Sequence, residues 1–200
     1  MNDEDGFLQK FRDNPADDTT RLVYADWLDE RGDPVSAAKA EFIRTELRLP
    51  TLPTKKTAER SAAVRRLQEL ATTLDVSWLA VVSQLDIENC GVQFSFVCPK
   101  KWEQLFPTDS ATVRFCAECA REVHYCDTIT VARQHAWSGD CVAVDLGVVR
   151  REGDLAPLPL MRLGWAPYTA AERELMRPDP VSQAREEAKR KQRGDADVNS

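Results

Sequence analysis

The stretch VRFCAECAREVHYC, residues 113–126, places three cysteines and a histidine within fourteen positions of a chain that has six cysteines and two histidines in all. On either side of its C-x-x-C the residues alternate in the manner of short strands, VRFC before and EVHYC after. A C-x-x-C loop can offer two sulfurs to one ion while its backbone N–H groups point at them, and zinc takes four thiolate or imidazole ligands in a tetrahedron. Cys116 and Cys119 are therefore the firm pair of a metal site, and the segment reads as strand, knuckle, strand.

Outward from this knuckle, TITVARQHAWSGD predicts a helix of about three turns that starts at a threonine cap and stops at Gly139, and CVAVDLGVV predicts a strand that opens on Cys141. Upstream, VQFSFVC sets Val92, Phe94, Phe96 and Cys98 on one face of a further strand. Before it the period is helical. FLQKF stops at Asn14-Pro15, and DDTTRLVYADWLDERG has Asp and Thr candidates for its cap and Gly32 to end it. In the joint that follows, Asp33 can cap the next helix while Pro34 occupies its first turn. VSAAKAEFIRTELRL, a longer helix to about Leu74 and VSWLAVVSQL continue the series. Helices this short need one another to persist, which predicts a small bundle. The expected class is α+β: an N-terminal helical module over residues 1–50, connecting helices over 51–88, a zinc-stapled strand and helix domain over 92–150, and a Pro-containing extension with a charged, transiently helical tail over 151–200.

The chain opens acidic, lacks the basic and apolar segments of a secretory signal, and has no apolar run approaching eighteen residues, so the expected place is the cytoplasm, with no membrane partner. In that reducing compartment C-x-x-C reads as metal binding or redox chemistry rather than a disulfide framework. The redox reading needs the motif at a helix N-terminus, whereas strands flank it here. The net charge of −6 lies in residues 1–33, where ten acidic side chains face four basic ones. Asp26, Asp29, Glu30 and Asp33 could thus meet a basic protein partner, and a solvated face is the plainer reading of the same residues.

The run RLVYADWLDERGDP, followed by EFIR, closely resembles the repeat-companion domain, a short helical module at the N-terminus of many bacterial proteins, often beside leucine-rich repeats. The resemblance covers about fifty residues and implies membership of a multi-module protein rather than a chemistry; no leucine-rich repeats follow here. Physically, Leu22, Val23, Tyr24, Trp27 and Leu28 read as the apolar face of the helix. FVCPKKWEQLFPTDSATVRFCAECAREVHYC, followed by GDCVAV, is similar to a small bacterial zinc-binding domain, a likeness that extends beyond the cysteines to the tryptophan, leucine and Pro-Thr positions.

That resemblance implies Cys98, Cys116, Cys119 and Cys141 as ligands of a structural Zn2+. The chemistry agrees with it in that Cys98 closes one strand and Cys141 opens another, so that a crosslink there would join the outer strands. Cys126 in place of Cys141, and His135 one helix later, remain alternatives. In EVHYC, however, Val123 and Tyr125 share one face and His124 and Cys126 the other. Cys90 has no partner at metal-site spacing and reads as a buried or incidental thiol. Four thiolates leave no open position for catalysis, so the expectation is a non-enzymatic interaction or adaptor protein. A nucleic-acid-binding regulator built on a zinc ribbon and an accessory subunit of a larger enzyme are the alternatives. Strong nucleic-acid binding is not expected, because residues 92–150 carry six basic and seven acidic side chains, interleaved.

Overall fold

Aspartates and threonines fix where the helices begin. The computed structural model describes residues 3–53, 57–90, 100–151, 153–156, 170, 174 and 177–198. The helix α1 (Asp3–Asp13) has three acids in its first turn and Lys10 and Arg12 in its last, matching the helix dipole. Asp17 caps α2 (Asp18–Glu30) by accepting from Thr19 and Thr20 N–H, and Asp33 caps α3 (Pro34–Arg48) through Val35 and Ser36 N–H. Between them Gly32 has φ of 71°, the left-handed geometry expected of it. Thr57 caps α4 (Ala58–Thr73), and Asp75 caps α5 (Val76–Val82).

The buried stripe of α2 is Arg21, Tyr24, Ala25 and Leu28, at i, i+3, i+4 and i+7. The expected apolar face is corrected here: Leu22 and Val23 are 48% and 53% exposed, while Arg21 takes a fully buried place. Arg21 belongs there because its guanidinium has acceptors, Pro15 O at 2.8 Å and Val82 O. Tyr24 behaves as a packed core residue, its hydroxyl donating to Glu4 and accepting from Trp78 Nε1.

The short α5 is where the helices meet the sheet. A helix leaves its last four carbonyls without intrahelical donors, and every one of the four here has a partner. Leu79 O accepts from Ser83 N at 2.9 Å, Ala80 O from Trp102 Nε1 at 2.8 Å, Val81 O from Arg114 Nη2 at 3.2 Å, and Val82 O from Arg21. The three side-chain donors come from α2, from a 3-10 turn at Trp102–Gln104 and from the sheet, and the backbone donor is the C-cap Ser83.

Five short strands form one mixed sheet: β1 (Ile87–Glu88), β2 (Phe106–Pro107), β3 (Val113–Cys116), β4 (Arg121–Cys126) and β5 (Cys141–Val144), in the order β1-β5-β4-β3-β2. The knuckle joins β3 to β4 as an antiparallel pair, and α6 (Ile129–Ser138) carries the chain from β4 to the parallel β5. Thr128 caps α6 and Gly139, with φ of 85°, ends it, both as the sequence predicts. The strand expected at VQFSFVC lies outside the described residues, and the strand found at the edge beside β5 is Ile87–Glu88. Parity in β4 holds: Val123 and Tyr125 join the core shared with the N-terminal helices, whereas Cys126 packs with Ile129, Ala132, Val142 and Val144 under α6.

The tail is firmer than the transient helix expected of it. It contains α7 (Pro180–Val198), capped by Asp179. Ser182 Oγ receives Ile129 N–H at 3.0 Å, and Arg185 reaches Asp127 O and Ala71 O at 2.8 Å each and the buried Asp145 at 3.1 Å.

Burial has a cost at Glu46, which is 4% exposed: Oε1 accepts from Gln84 N at 2.7 Å, while Oε2 has no hydrogen-bond partner among the described residues. Burial pushes its carboxyl up to about 7, against the pull of Arg21. The unfolded chain releases this proton near 4.5, so the folded state holds more protons across the interval up to about 7, and stability falls as pH rises through that window. The loss from this group is about 3 kcal/mol. Denaturant unfolding of Glu46→Gln at pH 5 and pH 7.5 should show a smaller drop between the two than the unsubstituted protein; an equal drop would mean that Glu46 does not titrate in this range.

Candidate metal centre

The centre is assembled from three separate segments. The β3–β4 hairpin pairs Cys116 with Arg121, and the four residues between them form the knuckle, with Ala120 at φ of 52°. This turn brings the Arg121 N–H onto Cys119, the backbone-to-sulfur contact expected of a C-x-x-C knuckle. The second segment is the start of β5, where Cys141 pairs with Val123 and shares its face of the sheet. The third is the turn after β1. Asn89, at φ of 56°, points its amide at the end of α6 and donates to Ala136 O at 2.9 Å and to Asp140 O at 2.7 Å. That double hydrogen bond lays Cys90 beside Cys141. The sulfurs of Cys90, Cys119 and Cys141 lie within 4.8 Å of one another.

Of the four cysteines expected as ligands, Cys119 and Cys141 are in this cluster, Cys116 adjoins it through a side-chain hydrogen bond to Cys119, and Cys98 lies outside the described residues. The reading of Cys90 as incidental is corrected, since it stands among the three thiols. Its signal was Asn-Cys-Gly, a turn sequence whose Asn tolerates the left-handed region, but the contacts that seat it come from α6. Cys126 is fully buried on the opposite face, its thiol donating to His124 O at 3.4 Å and pushed up to about 12 by burial. His135 stands apart from the thiols, with His124 and Asp140.

Electrostatics favour a cation here. Burial pushes the Cys119 thiol up to about 11, and the neighbouring Cys116 and Cys90 add to the shift, because thiolates packed together repel. A divalent ion reverses that balance, since thiolate is the ligand form. Soft sulfur donors suit zinc. A tetrahedral ion with zinc–sulfur bonds of about 2.3 Å sets sulfurs roughly 3.8 Å apart, and the three sulfurs here lie within 4.8 Å of one another.

On the other face of the sheet, His124 from β4 and His135 from α6 stack with ring centroids 4.0 Å apart and planes 12° from parallel. His135 Nδ1 and Asp140 Oδ2 are 2.9 Å apart. Burial, and then the neighbouring His135, hold His124 below the usual imidazole range. A cleft of about 330 Å3 opens here, lined by Arg121, Glu122, His124, Ser138, Gly139 and Asp140.

Compared with family models, curated proteins and solved structures, the chain finds no match in any of the three. The two resemblances therefore rest on the residues quoted for them.

Seating Cys90 depends on Asn89, whose replacement by Ala removes two hydrogen bonds and leaves at positive φ a residue that tolerates that region less well than Asn. At about 1 kcal/mol for each bond, Asn89→Ala should lose roughly 2 kcal/mol in denaturant unfolding. Alkylation of Cys90 should quicken while the buried Cys126 stays slow. An unchanged Cys90 rate would show that something other than Asn89 holds that turn.

Proposed function

We propose that the chain is a non-enzymatic interaction protein held together by one structural zinc ion, with Cys90, Cys119 and Cys141 as ligands and Cys116 as the fourth. The observation that carries this reading is the convergence of three thiols from three segments within 4.8 Å. Four protein ligands close the coordination shell, which suits a zinc that staples chain rather than one that activates water. Cys116 is the natural fourth ligand because its side chain already contacts Cys119.

The surface for a protein partner is the outward side of α2. Asp26 and Asp29 are paired with Arg44 at 2.6 and 2.5 Å, and Asp33 is engaged as the cap of α3. Charge alone is then a weaker attraction than the acidic count suggests. Leu22 and Val23 stand exposed on this helix and supply the apolar area that a protein contact needs.

Protein purified without chelator should carry one zinc per chain by metal analysis, and less than about half an equivalent would sink the proposal. Cys90→Ser, Cys119→Ser and Cys141→Ser should each lose it, whereas Cys126→Ser should keep it. Loss of zinc from Cys98→Ser with retention in Cys90→Ser would return the ligand set to Cys98, Cys116, Cys119 and Cys141.

The same reading excludes strong nucleic-acid binding. Between residues 92 and 150 six basic side chains meet seven acidic ones, and four thiolates around one divalent ion add about two further negative charges. Fluorescence anisotropy of the full chain at about 0.15 M salt should show binding to single-stranded DNA, duplex DNA and RNA no tighter than roughly 10⁻⁶ M. Submicromolar binding would favour the regulator instead.

A further inference from the structure

The side chains of His124, His135 and Asp140 form a group apart from the thiols. It holds the chain's two histidines, drawn from separate elements, together with a carboxylate from the turn that follows α6. Their ligand atoms lie within 4.8 Å of one another. All three residues are partly exposed, and two of them line the 330 Å3 cleft.

We propose that this group is a second, exchangeable binding site for a divalent first-row transition-metal ion, with two imidazoles and one carboxylate as ligands and the cleft supplying the remaining coordination space. Imidazole nitrogens and a carboxylate oxygen match the donor preferences of zinc and cobalt and do not match magnesium, which takes oxygen ligands and keeps its water. Charge on the rim agrees: Glu122 and Asp140 are acidic and Arg121 is basic, and Arg121 is turned to Gly139 O at 2.9 Å. Lone pairs lying in two nearly parallel ring planes cannot meet at one ion, so loading requires the stack to splay and the His135–Asp140 contact to give way to two bonds to the ion. The side chains of His135 and Asp140 are 32% and 41% exposed and have room for that rotation. Giving up the stack and the hydrogen bond makes this site weaker than a closed thiolate centre.

The two histidines provide an unambiguous readout, because a tag-free chain has no other imidazole. Proton NMR of the full chain, as purified, is followed while Zn2+ and then Co2+ are titrated, with Mg2+ at equal concentration as the control. Zn2+ should shift the ring protons of both histidines in one saturable step, Co2+ should move or broaden both, and Mg2+ should leave them in place. Metal content after dialysis gives the thiol-bound ion separately, so failure of the zinc staple and failure of this site are distinguishable. His124→Gln should abolish the response of His135, and His135→Gln that of His124, with the thiol-bound metal and the fold's circular dichroism unchanged. Ring signals that stay in place under saturating zinc, or a single variant in which the remaining histidine still responds as before, would overturn the proposal.

Discussion

Three side chains hold the C-terminal end of α5: the Arg21 and Arg114 guanidiniums and the Trp102 indole, on the carbonyls of Val82, Val81 and Ala80. The end of a helix carries partial negative charge, and two cations are placed against it. Arg114 also lies over the Trp102 ring, 4.5 Å from its centroid, and donates to Trp102 O at 2.8 Å. One donor belongs to α2 and the others to the sheet side of the chain, so a seven-residue helix fixes both layers at once. The core is accordingly continuous from Phe11 in α1 to Ala143 in β5. Burying two arginines carries a desolvation penalty, seen in the lowered pKa of Arg21 and in Arg114, held down to about 10. The buried acids Glu46 and Glu103 offset part of that penalty by their charge, while burial raises their own pKa values against the pull of the arginines.

A sheet of this kind needs such support. Its edge strands have two residues each, and its longest has six. One face is covered by the N-terminal helices and the other by α6, while α7 closes the junction through Arg185 on Asp145 and Lys189 on Asp127. The thiol cluster lies where three of these pieces end together: the turn after β1, the knuckle and the first residue of β5.

What the sequence disclosed was local. Asp33 with Pro34, Gly32, Thr128 and Gly139 were legible because a cap or a left-handed stop depends on residues within one turn. The parity of Val123, His124, Tyr125 and Cys126 was legible because a strand has a period of two. Arg21 was not, since its acceptor Val82 is 61 positions away and no helical pattern announces it. Two-residue β1 offers no period to detect, and the thiol in the turn beyond it, Cys90, was hidden with it. The docking of α7 rests on side chains meeting partners more than fifty positions away, so its charge pattern alone read as solvated.

Asp140 joins the two faces of the sheet and divides its duties between backbone and side chain. Its carbonyl accepts from Asn89 and so helps seat Cys90, its carboxylate meets His135, and the next residue is Cys141. Rotation of the carboxylate about its own side-chain bonds leaves the carbonyl where it is. Side-chain motion beside the histidines therefore need not disturb the turn that carries Cys90, which stays held by Asn89 on the Ala136 and Asp140 carbonyls.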